Sequence, residues 1–353
     1  MELALYCPDC GFYEKENDTI GRRGDFYTSV SIGSLFGELL AFQFASWLAE
    51  RGTGNAGRGT SQMQIIEAGA HDGWLASDIL NWLRLRRAAL FEQIEYCIVE
   101  PSTRRQERQR ETLAGFAPRV RWIADAGSPG DDSRGAVSNP QFNGVIFSNE
   151  LLDAMPVHRL GWDARRREWF EWGVTVDLGS FVWTRMPKTS HASHVTPHVP
   201  PELLQVLPDG FTTEICPAAE NWWRKAARAL SHGRLLTIDY GLSAGEFFAP
   251  QRADGTLRAY HRHRLSGDVL ANAGEQDLTS HLNLTAIQSA GEAVGLRTEN
   301  LQTQARFLTD IAGRAWAEGS GFGPWTSAHT RQFQTLTHPE HLGRAFRVLV
   351  QRK

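Results

Sequence analysis

The sequence predicts an α/β protein built on a parallel, doubly wound sheet, and three observations carry that prediction. The first is the stretch Ile65-Ile66-Glu67-Ala68-Gly69-Ala70-His71-Asp72-Gly73, in which an apolar run from Met63 ends in a carboxylate and a glycine-bearing turn. Helical spacing resumes over Trp74–Leu80, and strand, tight turn and helix in that order open a nucleotide-binding α/β unit. The second is the alternation that follows, with β-type runs at 94–99, 120–123 and 144–147 separated by helical or polar stretches, the pattern of βαβ units. The third is chemical. Glu67, Glu100 and Asp125 each fall at the end of a strand, where such sheets bind their ligands.

The elements follow in order. Residues 1–32 show no sustained periodicity and read as turns and short strands crossing the surface; within them lies Gly24-Asp25-Phe26-Tyr27-Thr28-Ser29. From Ser34 to Glu50, Leu35, Phe36, Leu39, Leu40, Phe44, Trp47 and Leu48 recur at helical spacing. A flexible stretch over 51–61 is expected, then the strand 63–67 and a helix to about Leu90. Strand 94–99 leads to Glu100-Pro101-Ser102 and a charged helix over 103–113. Strand 120–123 leads to Asp125 and a Gly/Ser/Asp/Pro-rich loop, expected to be mobile, over 127–140. Strand 144–147 delivers Ser148-Asn149-Glu150-Leu151-Leu152-Asp153-Ala154.

After Pro156 the pattern changes. Segments 157–162 and 168–176 read as a β-hairpin, with 181–185 a third strand. Residues 186–210 carry five prolines and several histidines and read as an inserted loop with a short helix, the histidines in 191–198 solvating it. A strand at 211–215, a helix at 218–231 and a buried strand at 235–238 ending in Asp239-Tyr240-Gly241 come next. Loop is expected over 245–277, helices over 279–294 and 303–318, and a last strand over 345–351 closing the sheet edge. The resulting division is an N-terminal segment and helix covering the site (1–60) and a nucleotide-binding core (61–157). An inserted hairpin and helical region follows (158–330), including core strands near 211–215 and 235–239, and a C-terminal closing strand ends the chain (331–353).

Composition bounds the partners. The 353 residues are 41% hydrophobic and 22% charged, ordinary for a globular protein with one large domain or two. A net charge of −3 gives no reason to expect nucleic acid. No apolar run approaches the roughly 20 residues of a membrane span, and the N-terminus lacks the basic flank and apolar core of a signal peptide, so the expected location is cytoplasmic. Cys7-Pro8-Asp9-Cys10 has no second CxxC, since Cys97 and Cys216 stand alone; the four read as reduced thiols, and no metal ligand is assigned.

The strand-end acids suit an adenosyl ligand. Glu100 could accept from ribose hydroxyls, Asp125 from an adenine amine, and Glu67 from the ammonium of an amino-acid-like ligand. Each could equally cap the following helix; three in succession favour a ligand. The turn is poorly arranged for a pyrophosphate: His71 stands at the point of close approach and Asp72 adds negative charge there. Both features argue for an adenosyl ligand of net positive charge, such as S-adenosylmethionine (SAM), over NAD.

The motifs Gly24–Ser29, Phe36-Gly37-Glu38, Glu67–Gly73, Val99-Glu100-Pro101-Ser102, Asn149-Glu150 with Asp153-Ala154 and Pro156-Val157, Asp239-Tyr240-Gly241, Gly255-Thr256-Leu257-Arg258, and Gly274-Glu275-Gln276-Asp277 with Thr279 and His281 occur in that order. Together they resemble the MidA-like family of SAM-dependent methyltransferases, whose mitochondrial members help assemble respiratory complex I and methylate an arginine on one of its core subunits. The resemblance implies a class I SAM-dependent methyltransferase fold, a Rossmann-like doubly wound sheet, with an added helical and β-hairpin substrate region. It also implies SAM as cofactor, with Glu67, Gly69 and Gly73 on its methionine part, Glu100 on its ribose and Asp125 on its adenine. Gly24, Asp25, Phe26 and Thr28 would lie in a loop over the site, and Asn149, Glu150 and Asp153 would face the methyl acceptor.

The implied acceptor is an arginine on a protein partner. Its guanidinium stays protonated in water, so a site must grip it with carboxylates and help it lose a proton. Glu150 and Asp153, placed together at a helix start, could do this, or could cap that helix. His281 with Asp277 could form a second polar pair, while Trp222 and Trp223 read as packing. The sequence departs from the family at His71, where glycine is usual, at Val30-Ser31, where Pro-Glu is common, and at Asn283, where Asp is common. Those changes leave open a second reading, a non-catalytic SAM-binding assembly or scaffold protein; a third, an NAD-dependent oxidoreductase, is disfavoured by His71 and Asp72.

Overall fold

The computed structural model describes residues 1–14, 28–50, 63–124, 142–186, 191, 199, 202–261 and 264–353. Gly24, Asp25, Phe26, Asp125 and the expected loops at 51–61 and 127–140 lie outside them. In chain order the strands are β1 (Met63–Ala68), β2 (Ile94–Val99), β3 (Val120–Ile123), β4 (Phe142–Asn149), β5 (His158–Asp163), β6 (Glu168–Asp177), β7 (Ser180–Arg185) and β8 (Thr212–Ile215). Then come β9 (Leu230–Leu242), β10 (Arg258–His261), β11 (Arg264–Ser266), β12 (Asp277–Thr279), β13 (Leu282–Asn283), β14 (Arg297–Thr303) and β15 (Phe346–Arg352).

The chain divides into two units. The first comprises Ser29–Leu151, Trp223–Asp239 and Ala290–Lys353. Its sheet runs β14-β15-β9-β4-β1-β2-β3. β1 pairs in parallel with β2 and β4, β2 with β3, and β4 with β9. Ile65, Ile66, Cys97, Ile98, Val145, Ile146 and Phe147 are all buried, as expected of parallel strands covered on both faces. The chain adds β2 and β3 on one side of β1 and β4 on the other, so the winding reverses between β1 and β4, the place where such sheets carry a ligand. The helix Leu35–Ala49 buries the apolar residues that its spacing predicted, and Gly37 lets it run hard against Asp78 of the helix Trp74–Arg86.

One expectation for this sheet is corrected, and two elements were not anticipated. β15 is not at the edge: it lies between β9 and β14, antiparallel to β14, and Gly233 and Lys353 exchange both backbone bonds, as an antiparallel pair does. β14 is the edge. Its sequence, Arg-Thr-Glu-Asn-Leu-Gln-Thr, is polar because, among the described residues, no strand covers its far side, and so periodicity did not reveal it. The helix Ser327–Thr337, opened by a Thr326/His329 capping box, was likewise not anticipated.

The second unit comprises Met1–Thr28, Leu152–Trp222 and Tyr240–Ser289. The expected hairpin and third strand form, in an antiparallel sheet of order β7-β6-β5-β8 that packs Leu160, Trp162, Trp169, Phe211, Phe247 and Phe248 into one core. The stretch expected as loop over 245–277 holds β10 and β11 and runs into β12, a small sheet of order β11-β10-β12. The helix expected from 279 begins at Leu284: Asn283 Oδ1 accepts from Ala286 N at 3.3 Å and caps it, while Leu282 and Asn283 pair with Gly241 and Leu242.

Candidate functional site

Strand register brings the candidate residues of the first unit to one end of the sheet. Ala68 pairs with Val99 of β2 and with Ser148 of β4, and Asn149 pairs with Ile238 of β9. Gly69, Glu100 and Asn149 therefore leave the carboxyl ends of three adjacent strands at one level. Asp239, buried, ends the stretch of β9 that belongs to this unit.

Glu67 is 2% exposed, and Tyr96 Oη donates to its Oε2 at 2.7 Å. Burial raises the carboxyl to about 7, against the lowering effect of that hydrogen bond. A group so poised is neutral or charged according to what approaches it. The tyrosine in turn is pushed well above its usual range, first by burial and then by Glu67.

The turn after β1 is built on left-handed backbone, with φ of 75° at Gly69, 46° at His71 and 84° at Gly73. A β-carbon on Gly69 would come within 2.9 Å of Leu151 Cδ1, so this position requires glycine for both space and conformation. His71 adopts φ > 0 without being glycine, an uncommon state for a side chain of its size. It is held by Gln109, whose Nε2 donates to the His71 carbonyl at 2.7 Å. Its Nδ1 lies 3.3 Å from Asp72 Oδ2, and this hydrogen bond is the main cause that lowers the Asp72 pKa.

Glu100 is 3% exposed and does part of what the capping alternative foresaw. Its Oε1 accepts from Ser102 N and Arg105 Nε, each at 2.9 Å, while Oε2 takes the longer 3.3 Å bond from Gln109 Nε2. A carboxylate oxygen has about two acceptor positions, so Oε2 has capacity for a further donor. Gln109, buried in the charged helix Thr103–Thr112, also accepts from Trp122 Nε1 at 2.8 Å. It thereby ties the tips of β1, β2 and β3 together. Sequence reasoning missed it, although an uncharged amide in so charged a helix was a signal.

At the end of β4, Asn149 Nδ2 donates to Glu150 Oε1 at 3.1 Å, and Ser29 N reaches the same oxygen at 3.4 Å. Ser29 Oγ is anchored on Gln304 Oε1 at 3.1 Å. No described residue donates to the buried Asn149 Oδ1, an orphan that a ligand would satisfy. Glu150 has φ of 51°, and backbone held in that region is characteristic of functional sites.

The helix expected from Glu150 is absent. Residues 150–155 form a turn, closed by Met155 N on the Leu152 carbonyl, because Glu150 is left-handed and Pro156 disfavours helix at the residue before it. Glu150 and Asp153 are therefore not successive residues on a helix face, and they belong to different units.

In the second unit, Thr28 and Asp153 are buried. The Asp153 carbonyl accepts from Ser280 N at 3.0 Å, which sets it beside the segment carrying His281. Asp277 accepts the Tyr13 hydroxyl at 2.7 Å, whereas the His281 ring packs edge-on against Tyr240 with centroids 6.1 Å apart. Burial, then Arg252 and Arg258, lower the His281 pKa to about 4, so the imidazole is neutral at physiological pH. It lines a small cavity of about 20 Å³ in which Glu214, Cys216, Ser280 and Asn283 stand among apolar side chains such as Val157, Leu282 and Ile287, enough for one water.

The profile of a family of S-adenosyl-L-methionine-dependent methyltransferases matches residues 39–302. The mitochondrial protein arginine methyltransferase NDUFAF7 of Danio rerio is 27% identical over 313 residues, 83% of this chain and 68% of its own length. The mitochondrial protein arginine methyltransferase NDUFAF7 homolog of Drosophila melanogaster is 26% identical over 379 residues, 99% of this chain and 79% of its own. A crystal structure of a Burkholderia thailandensis protein bound to S-adenosyl-homocysteine is 31% identical, covers 100% of this chain and 86% of its own, and superposes with a TM-score of 0.80.

Proposed function

The chain belongs to this family of S-adenosyl-L-methionine-dependent methyltransferases and has their class I fold, and from that premise we propose that it methylates arginine side chains on a protein. The observation that carries the assignment of residues is Glu67, a buried carboxyl near neutrality at the tip of β1. A cationic ligand beside it would favour its ionised form and be held by it. Gly69 and Gly73 keep β-carbons out of the turn, Asn149 Oδ1 offers an unused acceptor, and Glu100 Oε2 has room for a ribose hydroxyl. Gly24, Asp25, Phe26, Thr28 and Asp125 are assigned to the same cofactor on the sequence motifs alone.

The cofactor supplies a methyl group on a cationic sulfur, and its in-line displacement leaves the protein to align and desolvate the two reactants. On the acceptor, Glu150 is the carboxylate that grips and orients the guanidinium, its Oε1 fixed by Asn149 and Ser29. Asp153 keeps the acceptor-side assignment that the motifs imply, and His281 that of a second polar group near the site. Support for arginine comes from the names of the relatives and from the need of a guanidinium for carboxylates.

Incubation with methyl-labelled SAM and host lysate, followed by hydrolysis and amino-acid analysis, should yield labelled methylarginine in protein. Label on another residue or on small molecules would overturn the acceptor. Tight SAM binding without any transfer would instead favour a non-catalytic SAM-binding assembly protein, the second reading, which the occupation of a glycine position by His71 supports.

A further inference from the structure

β5 and β6 pair antiparallel with Leu160 opposite Glu171. Directly opposed residues share a face, and so do residues two apart on one strand, so His158 lies on the same face as Glu171. β7 ends where Met186 N donates to the Glu171 carbonyl, and the chain then brings His191 back to the same carboxylate. His158 Nδ1 lies 2.7 Å from Glu171 Oε1, and His191 Nδ1 lies 3.0 Å from Oε2. The two imidazoles stack with centroids 3.6 Å apart. One ligand atom from each of the three residues lies within 4.8 Å of the other two.

We propose that His158, Glu171 and His191 form a binding site for a divalent late first-row metal ion, zinc being the expected occupant. The two Nδ1 atoms and a carboxylate oxygen supply three ligands, and water completes a fourth position. Imidazole with one carboxylate is a donor set that suits zinc. Tetrahedral bonds of about 2.0–2.1 Å place neighbouring ligands about 3.3–3.4 Å apart, so the 2.7 and 3.0 Å between each Nδ1 and the carboxylate need open only by a few tenths of an ångström to take the ion. A shared metal would be held by both imidazoles through their ring nitrogens. All three residues belong to the second unit, and the ion would tie His191 to the sheet at β5 and β6. Sequence reading assigned His191 to loop solvation because its partners come from two distant strands.

The test uses the full chain without an affinity tag, stripped with a chelator and desalted. It should bind one equivalent of Zn²⁺ in competition with a chromophoric chelator, and Co²⁺ in its place should show ligand-field absorption of a nitrogen- and oxygen-ligated site. His191→Ala and Glu171→Gln should each weaken binding by about tenfold or more, and Zn²⁺ should raise the melting temperature of the parent but not of His191→Ala. Both side chains are partly exposed, and unchanged circular dichroism checks that the variants fold. A Cys7→Ser/Cys10→Ser protein should bind like the parent. Binding of less than one equivalent by the parent, or binding that both site variants leave intact, overturns the proposal; so does loss of binding in the cysteine variant.

Discussion

Tyr96 on β2 donates its hydroxyl to Glu67 on β1 at 2.7 Å, and neither side chain has meaningful access to solvent. Tyr96 is opposite Ile65, two residues before Glu67 on the same face, so the bond is a diagonal cross-strand pair. It gives a buried carboxyl one donor and, among the described residues, no counter-charge. That combination, not the identity of the acid, holds Glu67 near neutrality.

A pH dependence follows for Glu67. Its carboxyl stands at about 7 in the fold against 4.5 unfolded. Folding therefore favours the protonated form, and this contribution is complete below pH about 4.5 and lost as pH rises through about 7. Glu67→Gln cannot ionise, so its stability relative to the parent should rise by on the order of 3 kcal/mol between pH 4.5 and 8, measured by urea unfolding. Parent affinity for SAM should strengthen over the same range in calorimetry, and that of the variant should be weak and flat.

His71 occupies left-handed backbone at φ 46°, where a side chain costs about 1 kcal/mol or more. His71→Gly relieves that cost but loosens the unfolded chain, so its melting free energy should stay within about 1 kcal/mol of the parent. SAM binding should be retained. Loss of binding would place the imidazole, and not only the backbone, in the cofactor site.

Glu150 is assigned to the acceptor and not to the donor. Glu150→Gln should lower the rate of methyl transfer by roughly 100-fold or more, while calorimetric SAM affinity stays within a few fold of the parent. A parallel loss of SAM binding would reassign the residue.

His281 is held neutral, its pKa pushed from 6.5 down to about 4. The depressed value means that its contribution is present above pH about 6.5 and is lost as pH falls toward 4. His281→Asn should flatten the fall in stability between pH 7.5 and 5, and the parent's pH–rate profile should show no break near 6.5 from this group.

Much of the fold was readable from local pattern. The run Met63–Ala68, the glycine turn and the helix Trp74–Arg86 are adjacent in sequence, so apolar periodicity and turn chemistry specify them together. The same holds for β2, for the hairpin β5–β6, and for the placement of Glu67 and Glu100 at strand tips. Where periodicity failed, strand position or a local cap decided the outcome. β14 is polar because it is an edge, Asn283 ends a strand and caps the helix that follows it, and left-handed Glu150 with Pro156 removes the helix expected after β4.

The sequence by itself determined the α/β class, the order of strand, turn and helix around Gly69, and the residue types available at each strand end. Only the tertiary structure decided that β15 inserts between β9 and β14, that Gln109 joins three strand tips, that Glu67 sits near neutrality, and that His158, Glu171 and His191 converge. The physical reason is range. Helix and strand periodicities are properties of neighbouring residues, whereas strand order, the surroundings that set a carboxyl's charge, and the meeting of three side chains depend on segments brought together by folding.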